Sequence, residues 1–109
     1  MVTGVKQYDV HWISLDPTRG SEISKTRPCV IVSPDELNAH LRTVVVIPIT
    51  STGRNYPWRV TCKVAGKEGS IATDQIRAVD KTRLSDKISK LSGTEIEDLK
   101  KVLQQMLVE

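Results

Sequence analysis

The sequence predicts a mainly β domain: a compact antiparallel structure, a small closed barrel, with one helix packed on it at the C-terminal end. Three observations carry this expectation. Short apolar runs recur up to Leu91, separated by stretches that contain Gly or Pro, which is the pattern of strands and turns. No amphipathic segment between those runs is long enough to be a crossover helix, which argues against a parallel sheet. Only the last segment has helical spacing, with Ile96, Leu99, Leu103, Met106 and Leu107 recurring at i, i+3 and i+4. A chain of 109 residues suits one domain, and a domain of this size buries roughly two-thirds of its unfolded surface.

The elements follow in order. Residues 10–15 form a first strand and residues 29–32 a second. Between them lies Asp16-Pro17-Thr18-Arg19-Gly20-Ser21-Glu22-Ile23-Ser24-Lys25-Thr26-Arg27-Pro28, in which Pro17 and Gly20 break both helix and sheet. This is a long hairpin-type loop rich in cations and hydroxyls. Arg27 stands at its exit, where a rigid strand holds it. A guanidinium is a planar fork that keeps its charge and grips phosphate, so the loop points to a phosphate-diester ligand, most simply a nucleic acid. Ser33-Pro34-Asp35-Glu36 opens a short helix, with Ser33 as N-cap and Glu36 as its capping-box partner. Residues 43–50 form a third strand, and its run Val44-Val45-Val46-Ile47 implies burial on both faces. Residues 51–57 form a loop, and residues 58–64 alternate as a half-buried strand does. Residues 66–69 form a turn, residues 70–79 a strand and residues 86–91 another. Thr94 and Glu97 make a second capping box that starts the final helix.

The formal net charge of +3 permits nucleic-acid binding without demanding it. Cys29 and Cys62 lack any paired-cysteine spacing, which favours two free thiols in a reducing compartment. The N-terminus is polar around Lys6 and Gln7 and carries no signal-peptide pattern. The longest apolar run, residues 44–49, contains Pro48 and is too short to span a bilayer. A soluble cytoplasmic protein without a membrane partner is expected.

Further residues invite chemistry. Tyr56 and Trp58 flank Pro57 beside Arg54 and Arg59, a mixture of aromatics and cations on which single-stranded bases stack, although Trp58 is equally well placed in the core. Trp12 is assigned to the core or to a dimer interface rather than to a base platform. The C-terminal apolar stripe is assigned to the core. Lys81, Arg83, Lys87 and Lys90 form a basic cluster, either a solvated face or a track for a phosphate backbone. Histidine is the usual acid–base residue of neutral solution, but His11 lies mid-strand and His40 in the short helix, so neither is assigned to a reaction.

Several segments occur in a telling order. A strand ends in Asp16-Pro17, and Gly20-Ser21-Glu22 follows in the loop. Then come Arg27-Pro28, Ser33-Pro34, Asn38 and Pro48-Ile49-Thr50-Ser51. Tyr56-Pro57-Trp58, Asp74-Gln75-Ile76-Arg77 and Val79-Asp80-Lys81-Thr82-Arg83-Leu84 complete the series. In this order, over residues 9–107, the chain resembles the MazF/PemK toxins of bacterial toxin–antitoxin systems. The resemblance implies a single toxin domain over residues 1–109 with an SH3-like β-barrel, the fold also found in gyrase-inhibiting toxins. It implies a homodimer, a cognate antitoxin whose tail covers the RNA groove, and contact with DNA only through that antitoxin. It implies an endoribonuclease that needs neither metal nor cofactor and cuts single-stranded RNA at short sequences, so inhibiting translation and growth. Arg27 and Thr50 match the family's catalytic pair, and Glu22 matches a position linked to activity. Asp74 matches an acidic residue of the PemK branch, with Gln75 beside it as a base contact. That branch has an arginine two positions earlier, where this chain has Ala72, so the Arg27–Thr50 form of the site fits better. Arg19, Ser21, Lys25, Ser51, Arg54, Tyr56, Trp58 and Arg77 are the implied RNA contacts. Tyr8 stands where the family usually has glycine.

RNA carries its own nucleophile, the 2′-hydroxyl, and the expected products are a 2′,3′-cyclic phosphate and a 5′-hydroxyl. DNA lacks that hydroxyl and is not cut. Arg27 would neutralise the non-bridging oxygens as charge develops, a role worth about 3–4 kcal/mol for one well-placed donor. Thr50 would add a hydrogen bond. Arginine, with a pKa above about 12, is a poor general base. The competing readings are a structural Arg27 bonded to Asp16 or Glu22, a nucleic-acid-binding module without catalysis, and a gyrase inhibitor of the same fold. The last is disfavoured because the chain ends Met106-Leu107-Val108-Glu109 rather than Trp-Gly-Ile.

Overall fold

The computed structural model describes residues 4–51 and 56–108. Strands β1 (Asp9–Ser14), β2 (Thr26–Ile31) and β3 (Thr43–Thr50) are followed by β4 (Val60–Val64), β5 (Lys67–Ile71), β6 (Arg77–Asp80) and β7 (Leu84–Lys90). Helix α1 (Asp35–His40) lies between β2 and β3, and α2 (Gly93–Leu107) closes the chain. The strands form one antiparallel sheet in the order β4-β5-β3-β2-β1-β7, with β6 added on β3. One edge of β3 is shared: Thr43–Val46 pair with β6, while Ile49 and Thr50 pair with β5. The sheet curls into a half-barrel, and α2 packs on β4. The fold is therefore mainly β with a C-terminal helix, as expected. Among the described residues no helix is long and apolar enough to cross a membrane.

The β3 run is explained by two apolar clusters on the two faces of the sheet. Val44 and Val46 join Ile13, Leu15, Cys29 and Ile31 in one cluster. Ile47 and Ile49 join Val10, Val30, Ile71 and Leu99 in the other. Alternate residues of a strand point to opposite faces, so this strand needs apolar side chains at successive positions.

Several boundaries differ from the expectation, each for a local reason. Ser33 is not an N-cap. Pro34 occupies that position without a side-chain hydrogen bond. The Ser33 hydroxyl instead donates to Asn38 Oδ1 (2.5 Å) and accepts from the Val45 amide (3.0 Å), tying α1 to β3. The turn before β5 lies at Ala65 and Gly66, both at positive φ, so β5 starts at Lys67. The stretch 70–79 is not one strand. The 3-10 turn Thr73–Gln75 interrupts it, because β5 and β6 use successive lengths of the same β3 edge and the chain must step between them. Thr73 secures that step by donating to the Trp58 carbonyl. Trp58 itself lies in a turn before β4, and β7 begins two residues early, at Leu84. The capping box of α2 is Ser92 with Glu95, not Thr94 with Glu97. Glu95 also accepts from the Lys63 amide (2.8 Å), joining the helix to β4. The apolar stripe is buried at Leu99, but Met106 and Leu107 are exposed. Tyr8 adopts φ +71°, a conformation that glycine reaches without strain.

Gly69 lets β5 approach β3 closely. A Cβ there would lie 2.8 Å from Ile49 Cγ2 and 3.2 Å from the Thr50 carbonyl oxygen. Gly69→Ala is expected to lower unfolding stability by about 1–3 kcal/mol through overpacking. Denaturant unfolding checks this, and an unchanged midpoint would mean that Ile49 moves aside freely.

Candidate active site

The loop after β1 is anchored at its base by backbone and arginine contacts. The Leu15 amide donates to the Lys25 carbonyl (3.0 Å). Arg77 Nη1 donates to the Leu15 carbonyl (3.1 Å). Arg83 Nη1 donates to the carbonyls of Ser14 (3.2 Å) and Asp16. Farther out, Glu22 folds the loop onto itself: its carboxylate accepts from the Arg19 amide (2.5 Å), and its amide donates to the Arg19 carbonyl (3.1 Å). Gln75 Oε1 accepts from the Ile23 amide (3.3 Å), and Ile23 packs on the core. Arg19, Ser21 and Lys25 are exposed on this scaffold, with Lys25 at φ +69°.

Arg27 lies in β2, half-buried. Its Nε donates to the Ser24 carbonyl (3.2 Å). Among the described residues no carboxylate lies within ion-pair distance of it, so neither Asp16 nor Glu22 is its partner. Thr50 ends β3, and its hydroxyl lies 3.5 Å from the Ser70 carbonyl oxygen, which accepts from it. The β2–β3 register pairs Cys29 with Pro48 and Val30 with Ile47. Continued by two residues, it sets Arg27 opposite Thr50. On the other face the same register sets Pro28 opposite Ile49, and Trp12 of β1 is already paired with Pro28.

These residues line one groove of about 380 Å³, within the usual range of ligand clefts. Arg27, Thr50 and Ser51 line it together with Trp12, Pro28 and Ile49. Lys67 and Glu68 of the β4–β5 hairpin stand on its rim. Of the residues expected to form a site, Arg27, Thr50 and Ser51 are thus together. Glu22, Asp74, Gln75, Arg19, Ser21, Lys25, Arg77, Tyr56 and Trp58 do not line the groove, and Arg54 lies outside the described residues.

Of the two assignments given to Trp12, the core is excluded, since it is 43% exposed in the single chain. Its strand position shows why. It alternates with the buried His11 and Ile13 and shares a face with Ser14, next to the polar loop. Lys67 and Glu68 give only a weak signal in the sequence, two charges inside the expected turn 66–69.

Asp74 is engaged elsewhere. Arg59 reaches it through Nε (3.1 Å) and Nη2 (3.2 Å). Partial burial works to raise its pKa, but the Arg59 hydrogen bonds and charge, with a backbone hydrogen bond, hold it below the usual carboxylate value. Arg59 also lies over the Tyr56 ring (5.4 Å), and Tyr56 stacks on Trp58 with ring centroids 4.6 Å apart. The basic cluster is partly spent on structure: Lys81 donates to the Asn38 carbonyl, and Lys87 lies 3.3 Å from Asp9. His11 is buried with Nδ1 3.0 Å from the Ser85 carbonyl oxygen, and His40 contacts the Glu36 carbonyl. Neither histidine lines the groove. Among the described residues no group of three or more His, Cys, Asp or Glu side chains could hold a metal ion.

The family profile described as the PemK-like, MazF-like toxin of type II toxin–antitoxin systems matches residues 6–107. The chain belongs to this family. It is 31% identical over 71 residues to the endoribonuclease toxin MazF of Escherichia coli K12, a match that covers 65% of this chain and 64% of that protein. The chain thus spans less than two thirds of that relative's length. Among solved structures, MazF from Deinococcus radiodurans superposes with a TM-score of 0.86 at 22% identity, over 96% of this chain and 97% of that one. A mycobacterial endoribonuclease solved with its cognate antitoxin gives 0.80 at 22% identity, over 94% of each chain. These structures share the fold of this toxin-family chain.

Burial pushes the thiol pKa of both Cys29 and Cys62 up to about 12. The nearby charges of Arg77 and Arg27 only partly oppose this at Cys29. Thiolate is the reactive form. Both thiols are therefore expected to resist iodoacetamide in the native protein at pH 8 and to alkylate fully in denaturant, as read by mass spectrometry. Rapid native labelling would show that the core opens there. The folded pKa is raised, so this contribution to stability is present below pH 9 and is lost as pH rises toward 12.

Proposed function

We propose that this chain is the toxin of a type II toxin–antitoxin pair, a single domain over residues 1–109. It acts as a metal-independent, sequence-selective endoribonuclease on single-stranded RNA in the cytoplasm. The observation that carries this reading is the placement of Arg27 opposite Thr50, at the adjoining ends of β2 and β3, in one groove. Arg27 has no carboxylate partner among the described residues, so its charge is available to a phosphate.

In this mechanism the groove aligns the RNA so that a 2′-hydroxyl faces the adjacent phosphorus. The 2′-oxygen attacks, the bond to the 5′-oxygen breaks, and the cut leaves a 2′,3′-cyclic phosphate and a 5′-hydroxyl. Arg27 neutralises the non-bridging oxygens as their charge grows, and Thr50 donates to the same group. Glu22 acts by shaping the loop. Asp74, held by Arg59 outside the groove, is not given the acidic role of the PemK branch. Arg19, Ser21 and Lys25 at the loop surface, with Ser51 in the groove, hold flanking phosphates. The Tyr56–Trp58 stack takes a base, with Arg54 as a further contact, while Arg77 and Gln75 serve by holding the loop. The working form is a homodimer, and a cognate antitoxin blocks its RNA surface and carries any contact with DNA. The mycobacterial relative, solved with its own antitoxin, supports that partner. Cutting messages would halt translation and growth.

Cleavage of a mixed single-stranded RNA pool in EDTA tests the reading. The wild type is expected to cut at a short motif and leave cyclic phosphate ends. Arg27→Ala is expected to lose roughly 100-fold or more in rate, the scale of a lost preorganised donor. Arg27→Lys should fall between the two, because it keeps the charge and loses the planar fork. Motif-independent binding without cuts by the wild type would instead support a non-catalytic module.

A further inference from the structure

We propose that Lys25 is a positioning residue for the reaction: its left-handed backbone turns the chain so that the Ser24 carbonyl holds the Arg27 guanidinium. This rests on the ribonuclease reading above and concerns the same Arg27. Lys25 stands at φ +69°, immediately before β2. Residues with a side chain rarely adopt that conformation, because the Cβ crowds the following carbonyl. A residue kept there is held by its surroundings, and here both sides are fixed. The Lys25 carbonyl accepts from the amide of the fully buried Leu15 (3.0 Å). Two residues earlier, the Ile23 amide donates to Gln75 Oε1 (3.3 Å), and the Ile23 side chain packs on the core.

If β2 continued backward in extended form, Ser24 would lie about 10 Å from Arg27 along the strand, at about 3.3 Å per residue. The left-handed residue bends the chain back instead, and the Ser24 carbonyl accepts from Arg27 Nε at 3.2 Å. Among the described residues no other acceptor is bonded to this guanidinium. With Nε committed, the fork meets a phosphate end-on, through Nη1 and Nη2, which suits a bidentate grip on two oxygens. Thr26 and Arg27 line the groove, whereas Lys25 is exposed outside it. The Lys25 ammonium is thus left to a flanking phosphate, while its backbone serves the reacting one. Such a device matters because a displacement of about 1 Å at a reacting group costs about 100-fold in rate.

Substitutions at this position separate backbone from charge. Lys25→Gly removes the ammonium and reaches positive φ without strain. Lys25→Val removes it too, but a β-branched side chain opposes that conformation. On RNA carrying the cut motif, Lys25→Gly is expected to keep kcat near the wild-type value and to raise KM several-fold through the lost phosphate contact. Lys25→Val is expected to raise KM likewise and to lower kcat by about 10-fold or more. Added to Arg27→Ala, Lys25→Val should slow the reaction no further, because it acts through Arg27. If Lys25→Val does not fold, Lys25→Thr, also β-branched, carries the same comparison. A wild-type kcat in the folded β-branched variant, an equal loss of kcat in Lys25→Gly, or an undiminished effect in the Arg27→Ala background would overturn the proposal while leaving the ribonuclease reading intact. No cutting by the wild type would bring down that reading, and this inference with it.

Discussion

The two-sided burial of β3 is the constraint on which the rest depends. Val44 and Val46 serve one apolar cluster and Ile47 and Ile49 the other, so the strand can neither shift register nor turn over without exposing one set. A one-residue slip would reverse every side chain. Because β3 is pinned, the position of its last residue, Thr50, is pinned too. The β2 partner, tied to β3 through Cys29, Val30 and Ile31, fixes Arg27 in the same way. The proposed reaction centre is thus placed by core packing and carried on rigid strands, as accurate catalytic geometry requires.

The charged residues around it divide into two groups. Arg77, Arg83 and Glu22 are committed to the loop, where they satisfy carbonyls and an amide. Gln75 fastens the same loop to the turn between β5 and β6. Arg27, Lys67 and Glu68 line the groove. Charge alone does not distinguish these groups, so the net charge of +3 does not reveal them. What matters is which cations remain uncommitted after the fold has used its share.

Much of the fold was legible because local pattern and tertiary need agree. The β3 run showed its double burial directly, and β1 and β2 followed from apolar stretches bounded by Pro and Gly. The step at Thr73–Gln75 was illegible because it arises from two strands sharing one edge of β3, a long-range fact. Ser33 and Thr94 looked like caps, but the hydroxyl of Ser33 joins two elements and Ser92 was the better-placed cap after the buried Leu91. At the proposed site, Arg27 and Thr50 were singled out through the family resemblance. Their apposition is also visible in the β2–β3 register, once Cys29 is known to face Pro48. For Trp12 the sequence left core and dimer interface open, and only the alternation with Ser14 hints that the core is the wrong one of the two. Asp74 could not be seen to be occupied until Arg59 was placed beside it.

The central claim is that Arg27 and Thr50 act on one phosphate as a unit. A double-mutant cycle on single-turnover RNA cleavage tests it most directly, with folded Arg27→Ala, Thr50→Ala and the double variant compared with wild type. Groups that work together lose their effect together, so the double variant should be little slower than the worse single variant. Losses that multiply, so that each substitution slows the reaction equally with or without the other, would mean that the two residues act independently, and would contradict the account.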